Sequence, residues 1–453
     1  MSAVFGNRRS QTAATGQAQA EARDYGLPAL PRLLTLAAML LKLTSLLGLF
    51  AFIAIAWALS TDRKKFPWRT VISGVLLQFV FGLLILKTEL GGKFFKGFSD
   101  AVSAVLGYAA EGSSFVFGPL ANAEAIQKGL AIPSGFVFVI TVTGTIIFVS
   151  ALSSLLYHYG ILQLIVRGVA WVMERLMKTS GSESLAAAAN IFMGQTEAPL
   201  VIKPYLPKMT RSEIMALMTG GMATIAGGVL AAYVGFGVSA GHLLTASVMS
   251  APAALLIAKI MIPETEVSET AAGANAKIER QSHNGLDALC RGASDGAMLS
   301  INVMAMLIAF VAVVALANGL LSWMLGEVGM KNAAPLQTLF GWLNYPFAWL
   351  MGVPLKDCFA VGQVLGERIV LNEFIGYLSL AKVKDTLDPR SLTIATYALC
   401  GFANFASIAI QIGGIGSMMP ERREDLAKIG LRAMIGGLLA CYVTATIAGV
   451  LVN

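Results

Sequence analysis

The chain has 453 residues, 56% of them apolar and only 13% charged, with a net charge of +7. This composition and a positive mean hydropathy exclude a soluble enzyme and describe an all-α polytopic membrane protein. The positive charge is not a nucleic-acid footprint, because the basic residues fall mostly in short loops between apolar segments.

Residues 1–30 are polar and Ala/Gln-rich, and read as a disordered tail. They lack the ordered basic, apolar and cleavage regions of a signal peptide. Residues 33–59 and 70–86 are long and apolar enough to span a bilayer. The loop between them, DRKKFPWR, carries Arg63, Lys64, Lys65 and Arg69. The positive-inside rule makes it cytoplasmic and puts the N-terminus outside. Residues 91–131 are amphipathic and punctuated by Gly, as in interfacial helices. Pro133 opens a third span over 134–157. Residues 161–178, with Arg167, Glu174, Arg175 and Lys178, read as an amphipathic helix on the cytoplasmic surface.

The next stretch, 185–206, reads LAAAANIFMGQTEAPLVIKPYL. It is apolar at both ends and breaks at Gly194 into Gln195, Thr196 and Glu197. Irregular polar backbone at membrane depth survives only where protein covers it or water reaches it. Lys203, Lys208 and Arg211 make its far end cytoplasmic as well, so the stretch predicts a re-entrant hairpin with a polar tip. A fourth span, 212–234, contains TGGMATIAGG, which fits either close helix packing or an unwound, ion-coordinating break. The fifth span is 243–262. Residues 263–295 read as a cytoplasmic loop, and the sixth span as 296–320.

Residues 335–353, with Trp342, Tyr345 and Trp349, read as an interfacial segment. A second polar-tipped stretch follows at 359–380, with Gln363, Glu367, Arg368, Asn372 and Glu373 in its middle. The seventh span, 391–412, carries CGFANFASIA at its centre. Residues 420–432 are basic and read as cytoplasmic, and the last span is 433–452, which puts the C-terminus outside. Lys382, Lys384 and Arg390 are the exception, because this topology leaves them outside.

Eight transmembrane helices and two re-entrant hairpins result, with interfacial helices beside them. The two polar-tipped stretches match in order of parts: interfacial segment, hairpin, broken span, plain span. The first opens to the cytoplasm and the second outward, which is an inverted repeat with a binding site near the midplane. Gln195, Thr196, Glu197, Glu373, Asn404 and Ser407 would meet there. They are carboxylates, amides and hydroxyls, with no cation among them, so a neutral solute rich in hydroxyl and N–H groups fits best. Asn190, Thr224 and free carbonyls nearby supply hard oxygen ligands suited to Na⁺.

NIFMGQTEAPL, GGMATIAGGVLAAY, NEFIGY and GFANFASIAI resemble the concentrative nucleoside transporter family, and the likeness runs over residues 35–452. The resemblance implies a nucleoside symporter in the inner or plasma membrane, a homotrimer, with a scaffold domain and a transport domain. The domains would be 31–160 (scaffold), 161–262 (first transport repeat), 263–334 (loop and scaffold helix) and 335–453 (second repeat). The base would be read by Gln195, Thr196 and Glu197 and the ribose by Glu373, Asn404 and Ser407, with Phe402 packed beside the substrate. Sodium would be held by Asn190, Thr224 and the carbonyls of Met193 and Ile225. GQTEAP is similar to the sodium-coupled branch, and proton coupling is the alternative. Thr224 stands where close relatives often have Ser; the hydroxyl is kept.

Two enzyme readings compete. Gly237, Ser239 and Gly241 form GxSxG beside His242, but in a turn between two spans rather than a strand-to-helix elbow. Glu197 and Glu373 could form an acid/base pair, but no nucleophile or metal cluster accompanies them. The four Cys and three His are scattered, which fits inert thiols rather than a disulfide framework or a metal site.

Overall fold

A computed structural model describes residues 30–130, 137–271, 282–327 and 335–452. The expected tail and Pro133 lie outside the described residues, except Leu30 at the tail's end. Among the described residues every regular element is helical. Five helices come first: α1 Leu30–Ala58, α2 Trp68–Lys87, α3 Glu89–Phe117, α4 Ala123–Leu130 and α5 Phe138–His158. Then come α6 Ile161–Met177, the pair α7 Gly181–Ala189 and α8 Ala198–Val201, the pair α9 Arg211–Ala223 and α10 Gly227–Gly235, and α11 Ala240–Met261. The long α12 Gly285–Glu327 follows. The same order then recurs: α13 Pro335–Leu350, the pair α14 Leu355–Val370 and α15 Glu373–Val383, the pair α16 Pro389–Leu399 and α17 Phe405–Met418, and α18 Arg423–Leu451.

Capping sets where the interrupted helices begin. Ser180 and Glu183 form a capping box at the start of α7, and Thr210 and Glu213 do the same for α9. Asn372 accepts from Ile375 N to start α15, and Asn404 accepts from Ser407 N to start α17. A short polar side chain inside an apolar run thus competes with the helix it interrupts and caps the next one.

α11 and α18 form the centre. They pack on each other and on α9, with α2 against α11 and α1 against α18. The apolar window of α11 is 94% buried and that of α12 only 6%, so these helices do different work. On α1 and α12 residues such as Leu40, Phe50, Ile308 and Trp323 face outward, as lipid-facing or inter-subunit surfaces do. α12 packs along α5. A Cβ at Gly292 would lie 2.6 Å from Ser150 O, so only Gly admits that close approach.

Six helical segments among the described residues are long and apolar enough to cross a membrane. α5 passes that test together with α6 across a 75° bend, and α17 is a shorter apolar helix. Two expectations need correction, and the last helix begins earlier than its expected span. The expected loop 263–295 ends early, because α12 begins at Gly285, where Asn284 caps Asp287 N and Arg291 pairs with Asp287. The basic stretch 420–432 is mostly helical, with Glu424 and Asp425 in the first turn of α18 and Lys428 paired to Glu424. Arg390 is buried in the first turn of α16 and donates to Gly352 O, Val452 O and Ser45 Oγ. It therefore pins three segments together, which removes it from the charges that argue for orientation.

Candidate functional site

The two chain breaks in α9–α10 and α16–α17 cross each other. Phe402 N donates to Thr224 O over 3.3 Å, and Gly227 N donates to Phe192 O over 3.0 Å, tying the first polar tip to the first break. Thr224 and Ala226 are extended, which frees backbone groups from the helix ladder.

A chain of hydrogen bonds runs through the crossing. Gln195 Nε2 donates to Ser407 Oγ over 3.2 Å. Ser407 N donates to Asn404 Oδ1 at 2.9 Å, and Asn404 Nδ2 donates to Glu373 Oε2 at 3.0 Å. Tyr233 OH donates to Glu373 Oε1 at 3.0 Å. Gln195, Asn404, Ser407 and Glu373 are all buried. Four residues expected to share a site from positions 212 apart at most are thus one bonded array. Each carboxylate oxygen of Glu373 receives one side-chain donor, and a carboxylate has lone pairs for more.

Thr196 is half-buried and faces α17: a Cβ at Gly414 would meet its Cγ2 at 2.7 Å. Glu197 is not part of the array. Its Oε2 accepts from Gly194 N at 3.2 Å, and its side chain is exposed to a cavity shared with α5 and α12. Phe402 is half-buried beside the array.

Two of the expected cation ligands, Asn190 and Thr224, approach the same residue of α9, Gly220. Asn190 is 1% exposed and neither end of its amide has a hydrogen-bond partner among the described residues. A buried amide left unpaired is costly, so an orphan of this kind calls for an explanation. A Cβ at Gly220 would sit 3.3 Å from Asn190 Nδ2, which puts the amide against α9 one turn before the break. Thr224 Oγ1 donates to Gly220 O at 2.9 Å and keeps its lone pairs. Met193 and Ile225 lie outside the helices on either side. Oxygen atoms of an amide, a hydroxyl and carbonyls suit a hard monovalent cation, and no cluster of His, Cys, Asp and Glu suited to a transition metal occurs among the described residues.

Sequence reasoning assigns no role to three residues of the site. Gln411 Nε2 donates to Gln195 Oε1 and to Met218 O, each over 3.1 Å. A Cβ at Gly221 would lie 2.6 Å from Gln411 Nε2, so this approach depends on the glycine. The signal is present: Gln411 is a lone amide in apolar α17, one turn after Ser407 on the same face. Tyr233 reaches Glu373 from the other half of the chain. Arg368 is fully buried behind the array and donates to Ala398 O and Cys441 Sγ.

Neither enzyme reading finds support in this geometry. Ser239 precedes α11 in a helix-to-helix turn, and His242 lies 3.4 Å from Tyr397 OH. Glu197 faces the cavity, while Glu373 is held by Tyr233 and Asn404. Among the cysteines, Cys358, Cys400 and Cys441 are buried as expected of inert thiols, and Cys290 is exposed.

Comparison with known proteins decides the family. Residues 47–120 match the Na⁺ dependent nucleoside transporter N-terminus, 139–240 the nucleoside recognition (gate) model, and 242–449 the Na⁺ dependent nucleoside transporter C-terminus. An uncharacterized transporter of Haemophilus influenzae is 44% identical over 91% of this chain and 98% of its own. The chain belongs to the concentrative nucleoside transporter family. Sodium/nucleoside cotransporter 2 of Rattus norvegicus is 40% identical over 90% of this chain, which spans 63% of that longer protein. The solved structure of CNTnw in an inward-facing substrate-bound state is 41% identical, with a TM-score of 0.85 over 91% of this chain and 98% of that one. A variant of CNTnw in an outward-facing state gives 0.86 over 91% and 98%, at 40% identity. The membership makes this chain a multi-pass membrane transporter rather than an enzyme, in agreement with its apolar helices.

Proposed function

We propose that this protein is a sodium-coupled symporter that imports nucleosides by alternating access. The observation that carries the reading is the bonded array Gln195–Ser407–Asn404–Glu373, with the orphaned amide of Asn190 beside it. Gln195, Thr196 and Glu197 read the base. Glu373, Asn404 and Ser407 hold the ribose, and Phe402 packs against the substrate. A carboxylate can take both hydroxyls of a ribose diol at once, because it is acceptor-only and bears two oxygens.

Sodium is carried with the nucleoside, bound by Asn190 Oδ1, Thr224 Oγ1 and the carbonyls of Met193 and Ile225. These groups do not titrate near neutral pH, so the coupling step depends on sodium and little on protons. Binding sodium satisfies Asn190 Oδ1 and fixes the break at Thr224. Phe402 N bonds Thr224 O, so that order passes directly to the substrate half of the site.

In the membrane, α7–α8 and α14–α15 are re-entrant hairpins of an inverted repeat, within eight spans. Residues 31–160 and 263–334 supply the scaffold, and 161–262 and 335–453 the two transport repeats. Both termini lie outside, with Arg63, Lys64 and Lys65 in the turn between α1 and α2 and Arg423 at the start of α18 on the cytoplasmic side. The outward apolar faces of α1 and α12 meet lipid or the neighbouring copies of a homotrimer.

Proteoliposomes holding the purified protein test the reading. An inward sodium gradient should drive accumulation of intact radiolabelled nucleoside, with weak dependence on pH. Full uptake driven by a proton gradient in sodium-free buffer would assign the coupling to protons instead.

A further inference from the structure

α12 bears four charges along 43 residues: Asp287, Arg291, Asp295 and Glu327. Asp287 and Arg291 pair with each other at 3.1 Å. Asp295 lies one turn further along that face and is exposed, with no hydrogen bond or ion pair to a described residue. No charged side chain follows it until Glu327. An unpaired carboxylate at the start of an apolar span is expensive unless water or a ligand meets it.

Two cavities meet at this carboxylate. One, of about 500 Å³, is lined by Ser282, Cys290, Arg291 and Ser294. The other, of about 140 Å³, is lined by Ser150, Phe192, Met193, Glu197 and Gly228. Ser154, Tyr157 and Asp295 line both. The two cavities thus lie end to end between α5 and α12, one against the first polar tip and the other beside the start of α12, and together they form a candidate passage. Its polar walls are serine hydroxyls, one phenol, two carboxylates and Arg291, whose charge Asp287 meets. Facing carboxylates repel an anion, so a phosphate ester is refused. Hydroxyls that both donate and accept suit a neutral polyhydroxyl solute, and Tyr157 offers an aromatic face to a base.

We propose that this passage is a second nucleoside-binding station on the release path, in which Asp295 accepts hydrogen bonds from the nucleoside after it leaves the buried array. The inference rests on the nucleoside-transport reading above. It adds a ligand group from α12, a helix that contributes nothing to the array.

Cys290 is the only exposed cysteine among the described residues and lines this passage, so it reports occupancy. The experiment follows maleimide modification of Cys290 in the purified full-length protein as nucleoside is added. Nucleoside should protect Cys290, whereas the nucleoside monophosphate and NaCl alone should not. Asp295→Asn should raise the nucleoside concentration for half-protection about tenfold, equivalent to ~1.4 kcal/mol, and Asp295→Glu should restore it in part. Glu373→Gln should weaken uptake about tenfold yet move half-protection by less than about twofold. Equal shifts in uptake and protection for Glu373→Gln would mean that Cys290 merely senses the buried array, and would overturn the proposal. So would protection by NaCl alone, which would give the passage to the cation, or no protection in a wild type that transports. A wild type that transports no nucleoside would instead refute the underlying reading.

Discussion

Replacing Asn190 by Leu separates the cost of an orphaned amide from the gain of binding sodium. Asn190 is 1% exposed at the end of α7, and both polar atoms of its amide are unpartnered. A buried polar group without a hydrogen bond costs about 1–3 kcal/mol. Leu is similar in size and removes both atoms. In choline chloride, Asn190→Leu should therefore be as stable as wild type or more so, by up to ~2 kcal/mol. In sodium chloride the order should reverse. Wild type gains RT ln(1 + [Na⁺]/Kd), which is about 2.7 kcal/mol at a hundredfold excess over Kd, and the variant gains none of it. An unfolding entropy of about 2.1 cal/mol/K per residue makes 1 kcal/mol worth roughly 1 °C in a chain of this length, so the wild-type increment is about 3 °C in apparent Tm. Thermal unfolding followed by tryptophan fluorescence, in the two salts at equal ionic strength, reads it. The same order of stabilities in both salts, or a variant that keeps the sodium increment, would refute the assignment of Asn190 as a ligand.

Other perturbations bear on the remaining parts. Glu373→Gln swaps an acceptor for a donor, and binding of ribonucleosides should weaken by about tenfold or more, since a hydrogen bond to a charged group is worth roughly 1.5–3 kcal/mol. A deoxyribose analogue should lose much less in that variant; additive losses in the substrate-by-variant cycle would remove Glu373 from the sugar. Lys259 is buried and ion-paired with Glu183 at 2.8 Å and with Glu264 at 3.1 Å, and donates to Ser212 Oγ, so it joins α7, α9, α11 and the turn after α11. Lys259→Met strands a buried carboxylate, which costs about 3–5 kcal/mol and should lower the apparent Tm by roughly 3–5 °C; an unchanged Tm would show that the pair is not a staple. In intact cells, cysteines placed at Lys64 and Arg423 should react only with membrane-permeant reagents and one at Asn453 with impermeant ones, the native thiols having been removed. The opposite pattern would reverse the orientation of both hairpins.

Much of the site is legible in the amino-acid sequence because its residues violate the rule of their surroundings. Gln195, Glu373 and Asn404 stand out in runs where most neighbours are apolar, and an isolated polar group in hydrocarbon needs a reason. Gly-rich and Asn-containing segments mark the breaks at Thr224 and Asn404 for the same cause. What the sequence hides depends on long-range packing. Tyr233 is an ordinary aromatic residue in an apolar helix until Glu373, 140 positions later, is folded against it. Arg390 counts as a surface charge in sequence, yet two of its three acceptors, Ser45 and Val452, come from opposite ends of the chain. The start of α12 reads as loop if charge alone is the sign of a loop, whereas Asp287 and Arg291 are spaced to pair on a helix that extends beyond its apolar core.

The most direct test of the account is thermodynamic linkage between the two ligands. If sodium at Asn190 and Thr224 orders the break that Phe402 shares with the substrate half, each ligand must raise the affinity for the other by the same factor. Nucleoside binding to the purified protein should be measured calorimetrically across a series of sodium concentrations at constant ionic strength. The account predicts that nucleoside Kd falls as sodium rises, that Thr224→Ala shifts this dependence to higher sodium, and that Thr224→Ser shifts it little. A nucleoside Kd that is equal in sodium and in choline, with pH as the only variable that moves it, would contradict the account.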